Sequence, residues 1–177
     1  MRFQVCASAV GALTAAVLAV STTPAVASGT YSGRAYIYGA DAFGNDWGDE
    51  GVLSTSTHRN SNATCMWQEL LVADGKLEWD QIDGEFGPDT YNATVRWQTD
   101  YNRYWRGSDP VITVDGSVGK ATFGAADKFL SAGNGDIVYT GAVHNVRLER
   151  DADGNYTFLD QFANRRKAGY DYLSCSS

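Results

Sequence analysis

The sequence predicts an α+β protein, in which a three-helix core is flanked by a small antiparallel sheet from the N- and C-terminal segments. The first observation is a repeat: "IDGEFGPDTYNATVRW", residues 82–97, returns 32 residues later as "VDGSVGKATFGAADKF", residues 114–129. Such self-similarity indicates a repeated structural unit. The second is periodicity, because apolar residues follow helical spacing within residues 63–131 and alternate as in strands in the flanking segments.

Residues 1–27 have the three parts of a secretory signal peptide. Arg2 supplies the positive end, residues 10–20 form an apolar run, and Ala25-Val26-Ala27 ends in small residues that a signal peptidase accepts. A run of about eleven residues is too short for a membrane span, which needs roughly 20. We therefore expect cleavage after Ala27, a secreted protein, and no membrane span in the mature chain.

The net charge excludes one class of partner. Removing residues 1–27 from the 177-residue chain leaves 150 residues, enough for one compact domain or two very small ones. It also removes Arg2 from the 14 basic residues, so that 13 basic residues face 21 acidic ones and the net charge is −8. Nucleic acid requires a basic surface, so we expect no nucleic-acid partner.

Two cysteines remain in the mature chain, Cys65 and Cys175. In an oxidising compartment they most simply form one disulfide. Closing a loop of roughly a hundred residues is worth at most about 4 to 5 kcal/mol by chain entropy. The bond would tie the C-terminus to the start of the repeat region.

The N-terminal segment, residues 28–62, is rich in Gly, Ser, Asp and aromatic residues. The alternation in residues 34–38 predicts a strand. The following stretch, residues 39–51, reads "GADAFGNDWGDEG" and predicts a loop. Its carboxylates fit either a calcium site or a solvated turn, and because their spacing matches no known calcium loop, the turn is favoured.

Three helices are predicted in residues 63–131. Trp67, Leu70 and Leu71 follow the spacing of one helical face, and Gly75 can end that helix. The second helix begins at Pro88, because proline at the first helical position needs no amide donor. Its apolar stripe continues through Trp97 to Tyr104, and the third helix runs from about residue 120 to 130.

The C-terminal segment, residues 132–177, changes to strand periodicity. Two strand-like runs are separated by residues 151–155, "DADGN", which favour a hairpin turn over a calcium loop. A last strand is predicted near residues 168–173. It would bring Cys175 back toward Cys65.

The residues shared by the two copies have structural explanations. Asp followed by Gly makes a tight turn, and the second Gly lets the chain enter a helix without a Cβ clash. The Thr hydroxyl can bond back to the loop from the first helical turn. We assign this structural role to Asp83, Gly84, Gly87 and Thr90 in the first copy, and to Asp115, Gly116, Gly119 and Thr122 in the second.

Residues 63–131 resemble the three-helix peptidoglycan-binding domain of bacterial cell-wall hydrolases. In that family a helix with a Leu-Gln-x-x-Leu-like phrase precedes two Asp-Gly-x-aromatic-Gly-x-x-Thr turns, each of which opens a helix. Here Trp67-Gln68 and Leu70-Leu71 stand in the first helix, and Trp97-Gln98 takes the place of the family's Phe-Gln. The linker at residues 99–113 is longer and more aromatic than is usual in the family. The segments 28–62 and 132–177 carry no family motif.

The resemblance implies a secreted, noncatalytic protein that binds peptidoglycan, through its stem peptide or its glycan, and stays with the cell wall. Aromatic rings can cover the apolar faces of sugars and peptide methyl groups, and arginine can pair with a peptide carboxylate. The candidate ligand-binding residues are Tyr91, Arg96, Tyr101, Tyr104, Trp105 and Arg106. The alternative is that Tyr101, Tyr104 and Trp105 pack beneath the strand segments.

Enzyme motifs are sparse in the sequence. It has two histidines, His58 and His144, without a His-Glu-x-x-His string or a Gly-x-Ser-x-Gly elbow. A two-histidine metal site completed by Asp and a Ser-His-Asp arrangement stay open as alternatives. Paired carboxylates for glycoside cleavage, with Glu69, Glu78 and Glu85 near the repeat, are the better-supported enzyme option. We expect no enzyme, no metal and no cofactor. The alternatives are a small wall hydrolase with its active site in the flanking sheet, and an interaction or inhibitor module for another exported protein.

Overall fold

The computed structural model describes residues 33–40 and 42–175, so the predicted signal peptide lies outside the described residues. It confirms the α+β class. Three α-helices precede a five-stranded antiparallel meander with the strand order β1-β2-β3-β4-β5. The elements are α1 (Asn62–Ala73), α2 (Pro88–Asp100), α3 (Lys120–Ala126), β1 (Leu130–Ala132), β2 (Ile137–Thr140), β3 (Asn145–Arg150), β4 (Tyr156–Leu159) and β5 (Arg165–Lys167).

Helix α1 is the centre of the molecule. Ser61 caps it by accepting a hydrogen bond from the Thr64 amide, and all twelve residues of the helix are buried. The sequence predicts one apolar face at Trp67, Leu70 and Leu71, but the structure covers every face of the helix. The remaining faces are covered because α1 lies between the other helices and the sheet, so its polar side chains also become interior groups.

Asp74, just after α1, joins the helices to the sheet. Its Oδ2 accepts hydrogen bonds from the Trp97 indole at 2.7 Å and from the Tyr139 hydroxyl at 2.6 Å. Its Oδ1 accepts from the Ala142 amide at 2.8 Å. One buried carboxylate therefore fixes α2 and the β2 end of the sheet to the end of α1.

Helix α3 ends at Ala126, earlier than the predicted residue 130. Residues Asp127–Phe129 form a 3-10 turn, and Leu130 already pairs with Tyr139 in the sheet. The sheet pairing overrides the helical pattern. The predicted domain boundary at residue 131 consequently falls inside β1.

The predicted N-terminal strand at residues 34–38 is wrong. This segment makes isolated bridges from Tyr36 to Gly169 and from Tyr38 to Asn155, and no ladder. The Tyr38 amide donates to the Glu50 carboxylate at 3.0 Å, so a side chain takes the place of a strand partner. The last strand is also shifted, to Arg165–Lys167 instead of residues 168–173.

Two C-terminal predictions are confirmed. Residues 151–155 form the turn between β3 and β4, where Asp151 Oδ1 accepts from the amides of Asp153 at 3.0 Å and Asn155 at 2.9 Å. Cys65 and Cys175 form the expected disulfide, with their Cα atoms 6.5 Å apart, and both are buried. The C-terminus is therefore fixed to α1.

The acidic loop after residue 39 is not the solvated turn that the sequence favours. Trp47 and Glu50 are fully buried, and Asp46 is 5% exposed. Asp46 is held by Arg150 and Tyr156, and Glu50 accepts from the Tyr170 hydroxyl at 2.6 Å. Within residues 33–40 and 42–175 no group of three His, Cys, Asp or Glu side chains is suited to a metal ion. In the same part of the chain, no helix combines the length and the apolar character of a membrane span.

Candidate functional site

A buried glutamine of α1, Gln68, holds the first turn of the repeat. Its Nε2 donates to Asp83 Oδ1 at 2.8 Å, to the Glu85 carbonyl at 3.1 Å and to Thr90 Oγ1 at 2.9 Å. Its Oε1 accepts from the amides of Asp83 at 3.2 Å and Gly84 at 2.8 Å. Both ends of this amide are thus satisfied by the turn that leads into α2.

Gln98 of α2 holds the second turn in the same way. Its Nε2 donates to Asp115 Oδ1 at 3.2 Å, to the Ser117 carbonyl at 2.8 Å and to Thr122 Oγ1 at 3.0 Å. Its Oε1 accepts from the amides of Asp115 at 3.1 Å and Gly116 at 2.9 Å. We call these two networks, centred on Gln68 and Gln98, the glutamine clasps.

The first glycine of each copy is required by the backbone. Gly84 has φ +74° and Gly116 has φ +71°, a region that favours glycine. A Cβ at Gly84 would lie 2.2 Å from Leu173 Cδ1, and one at Gly116 would lie 2.3 Å from the ring of Tyr91. The expected clash at the second glycine is absent at Gly87, where the nearest atom to an added Cβ is 3.7 Å away.

The threonine hydroxyls bond back to their loops as the sequence predicts. Thr90 Oγ1 donates to the Glu85 carbonyl, and Thr122 Oγ1 donates to the Ser117 carbonyl, both at 3.2 Å. Each hydroxyl also accepts from the glutamine of its clasp. The repeat residues therefore lie in interior networks and at the turns, where they set the backbone.

Two of the candidate ligand-binding residues pack on the core. Tyr101 is 2% exposed and stacks on Trp97, with ring centroids 5.5 Å apart. Trp105 is half-buried and makes edge contacts with Trp97 at 6.0 Å and Phe129 at 6.1 Å. Both residues belong to a helical turn, Tyr101–Trp105, that extends α2 into the predicted linker.

The other four candidates have different surroundings. Arg96 donates to the Lys76 carbonyl at 2.6 Å, and Arg106 donates to the Asp109 carbonyl at 2.6 Å, so both fix backbone. Tyr91 lies over Gly116 and is 39% exposed. Tyr104 is 64% exposed.

A shallow groove of about 260 Å³ lies where the linker meets α3. The linker contributes Pro110, Val111 and Ile112, and the helix contributes Ala121, Gly124 and Ala125. Tyr101, Asp109, Lys120 and Lys128 complete its lining. We call this surface the linker groove.

The linker groove is apolar with charges at its edge. Val111 is 68% exposed, the second most exposed of the large hydrophobic side chains in the described residues. Lys128 Nζ lies 2.7 Å from Asp109 Oδ2. Their hydrogen bond lowers the pKa of Asp109 and raises the pKa of Lys128, so both groups stay charged at neutral pH. Lys120 supplies a further positive charge.

A second cavity, of about 400 Å³, lies between α1 and the sheet, and we call it the Glu69 cleft. Glu69 is 4% exposed, and its Oε1 has no hydrogen-bond partner among the described residues. Burial, reinforced by the charge of Asp160, raises the pKa of Glu69 to about 9. The carboxyl group is therefore protonated at neutral pH.

An aromatic pair forms one wall of the Glu69 cleft. The indole of Trp79 stacks on the His144 imidazole, with centroids 5.2 Å apart and an interplanar angle of 24°. Trp79 is 53% exposed. The His144 Nε2 atom is buried and has no hydrogen-bond partner in the described chain.

Asp160, also in the Glu69 cleft, is fully engaged. It accepts from Arg166 Nε at 2.7 Å and from the amides of Phe162 at 2.9 Å and Asn164 at 2.8 Å. Burial acts to raise the pKa of Asp160, but these donors outweigh it and lower the pKa. Asp160 is therefore an ionised structural group that shapes the turn between β4 and β5.

A third cavity, of about 480 Å³, lies within the N-terminal segment, between residues 34–40 and residues 45–49 of the acidic loop. The Arg34 guanidinium lies 3.7 Å from the centre of the Tyr38 ring, and Asn45, Asp46 and Asp49 also line the cavity. Of its two carboxylates, Asp46 is already held by Arg150 and Tyr156.

The sequence does not indicate the clefts that involve the sheet. Glu69 is predicted only as one of three carboxylates near the repeat, and Trp79 has no predicted role. A charged residue in a largely apolar helical stretch, Glu69 beside Leu70, is the signal that could have indicated a buried functional group. No family model, curated protein or solved structure matches this chain.

Proposed function

We propose that the chain is a secreted, noncatalytic peptidoglycan-binding protein that retains wall material in the linker groove. The observation that carries the proposal is the pair of glutamine clasps. Gln68 and Gln98 bind the Asp-Gly turns and threonines on which the resemblance to the three-helix peptidoglycan-binding domain rests. The motif residues thus act together, twice, in one arrangement.

The chemistry of the linker groove supports a wall peptide as its occupant. Peptidoglycan stem peptides present methyl groups and carboxylates. The exposed Val111 and the small side chains of Ala121 and Gly124 offer an apolar surface for the methyl groups. Lys120 can attract the carboxylates, whereas Lys128 is already paired with Asp109.

A small hydrolase acting at the Glu69 cleft is the second candidate. A carboxyl group kept protonated at neutral pH can serve as a general acid, which favours this alternative. Glycoside cleavage also needs a second carboxylate as base or nucleophile. Asp160 is the other carboxylate that lines the cleft, and it already accepts hydrogen bonds from Arg166 and two amides. Because these bonds hold it in a structural role, the arrangement supports the noncatalytic proposal instead.

The test is incubation of residues 28–177 with insoluble peptidoglycan, followed by assays of sedimented protein and released muropeptides. Saturable sedimentation without release is the expected result. Release of muropeptides would favour the hydrolase. If the protein neither sediments nor releases muropeptides, wall binding is overturned. The interaction or inhibitor module for an exported protein is then the function that remains.

A further inference from the structure

We propose that the Glu69 cleft is a second ligand site and that it binds a neutral saccharide. The cleft uses a surface separate from the linker groove. Four of its lining residues carry the inference: Glu69, Trp79, His144 and Asp160. The site goes beyond the proposed function, because it does not require wall peptide to bind in the linker groove.

Two buried polar atoms in this cleft have no partner in the described chain. They are Glu69 Oε1 and His144 Nε2. An unsatisfied buried polar group is unfavourable, so native structures keep few of them. Because both atoms belong to side chains that line one cavity, a ligand with hydroxyl or amide groups could satisfy both.

The charges of the cleft favour a neutral ligand. Burial and the neighbouring Asp160 raise the pKa of Glu69 to about 9, so its carboxyl group is an uncharged donor and acceptor at pH 7. The charged side chains of the cleft already form ion pairs. Asp160 is paired with Arg166, and Arg147 Nη1 lies 3.5 Å from Asp136 Oδ2. An ionic ligand would therefore have to compete with existing ion pairs, whereas a polyhydroxylated ring would not.

Trp79 supplies the apolar surface that a sugar ring needs. Stacking on His144 fixes the orientation of the indole, while about half of the Trp79 side chain remains open to solvent. The C–H face of a pyranose can cover such an indole. A volume of about 400 Å³ lies within the range of small-molecule sites.

The test is calorimetric titration of residues 28–177 with two soluble tetrasaccharides, one of β-1,4-linked N-acetylglucosamine and one of β-1,4-linked glucose. Binding of either supports the site, and a preference for the first would show that the acetamido group is recognised. We expect Trp79→Ala to weaken binding at least about tenfold, since it removes the stacking surface. Tyr172→Ala is the control, because it removes an aromatic ring that is 39% exposed and lies outside the cleft lining, and it should leave the affinity unchanged.

Glu69 variants test the polar contact. Glu69→Gln keeps a neutral donor and acceptor, so binding should stay within about threefold, whereas Glu69→Leu removes both groups and should weaken binding at least about tenfold. A ¹H–¹⁵N spectrum of the wild-type protein keeps the test independent of how the variants fold, because the ligand should shift the Trp79 indole signal. No binding of either sugar, or equal binding by folded Trp79→Ala, would overturn the proposal. Wall sedimentation by the linker groove would be unaffected by that outcome.

Discussion

Glu69 is a carboxyl group in the interior of α1, and its protonation state connects the residue to the stability of the whole protein. In the unfolded chain its pKa returns to about 4.5, whereas burial raises the folded pKa to about 9. Between these two values the folded protein holds a proton that the unfolded chain releases. The contribution of Glu69 to stability is therefore complete below pH 4.5 and is lost as the pH rises toward 9.

Glu69→Gln should remove this pH dependence. The variant and the wild type should be about equally stable at pH 4, and the variant should be more stable at pH 7, by roughly 3 kcal/mol on the scale of 1.36 kcal/mol per pKa unit. Urea unfolding at several pH values measures the difference. A stability difference that does not change between pH 4 and pH 8 would contradict the raised pKa.

Single residues of the repeat show which parts of the local structure the sequence could predict. The turn glycines, Gly84 and Gly116, and the threonine hydroxyls behave as their sequence positions indicate, because the reasons for them are local. Tyr101 and Trp105 were candidates for ligand contact but pack on Trp97. An aromatic residue in a linker has the same sequence signature whether its ring faces solvent or the core.

At the scale of elements, each turn-helix unit depends on the helix before it. Gln68 reaches forward from α1 to the turn that opens α2, and Gln98 reaches from α2 to the turn that opens α3. The three helices are therefore joined in a chain by side-chain to backbone hydrogen bonds. We therefore expect the glutamine clasps to couple the stability of each turn-helix unit to that of the helix before it.

Gln68→Ala tests this coupling. It leaves two turn amides and the Thr90 hydroxyl without their interior partner, so we expect the free energy of unfolding to fall by about 3 kcal/mol or more. Gln161→Ala is the control, since Gln161 is exposed and makes a single bond of 3.4 Å to the Ile82 carbonyl. Denaturant unfolding measures both. An equal decrease in the free energy of unfolding in the two variants would show that the clasp contributes no more stability than the single bond of Gln161.

Elements with local signals could be predicted from the sequence, and those set by distant contacts could not. Pro88 marks the start of α2, and residues 151–155 mark the β3–β4 turn, because their backbone chemistry is self-contained. The end of α3 depends instead on the pairing of Leu130 with Tyr139. The Glu69 cleft depends in the same way on bringing α1 beside the β4–β5 turn.

At the scale of the whole molecule, the helices and the sheet share one core. Asp74 links α1 to both α2 and the sheet, and the Cys65–Cys175 disulfide fixes the C-terminus to α1. The flanking segments are therefore integral to the fold rather than separate attachments. The sheet also gives the protein the Glu69 cleft, which lies beside the helical region without being part of the linker groove.

Replacing both cysteines tests the contribution of the covalent link. Cys65→Ala/Cys175→Ala opens a loop of about a hundred residues, so the free energy of unfolding should fall by about 2–4 kcal/mol. The linker groove should keep its shape, because neither cysteine is among its lining residues. Thermal unfolding together with wall sedimentation checks both expectations. Loss of wall binding in the folded variant would contradict this separation.

The most direct test of the central claim, that wall material binds in the linker groove, is sedimentation with peptidoglycan using two matched variants. Val111→Asp places a carboxylate in the groove, whereas Val143→Asp places the same charge at an equally exposed valine outside it, the two side chains being 68% and 70% exposed. We predict that Val143→Asp binds like the wild type and that Val111→Asp binds about tenfold more weakly, a loss of about 1.4 kcal/mol. Equal binding by the two variants, with both folded, would contradict the claim.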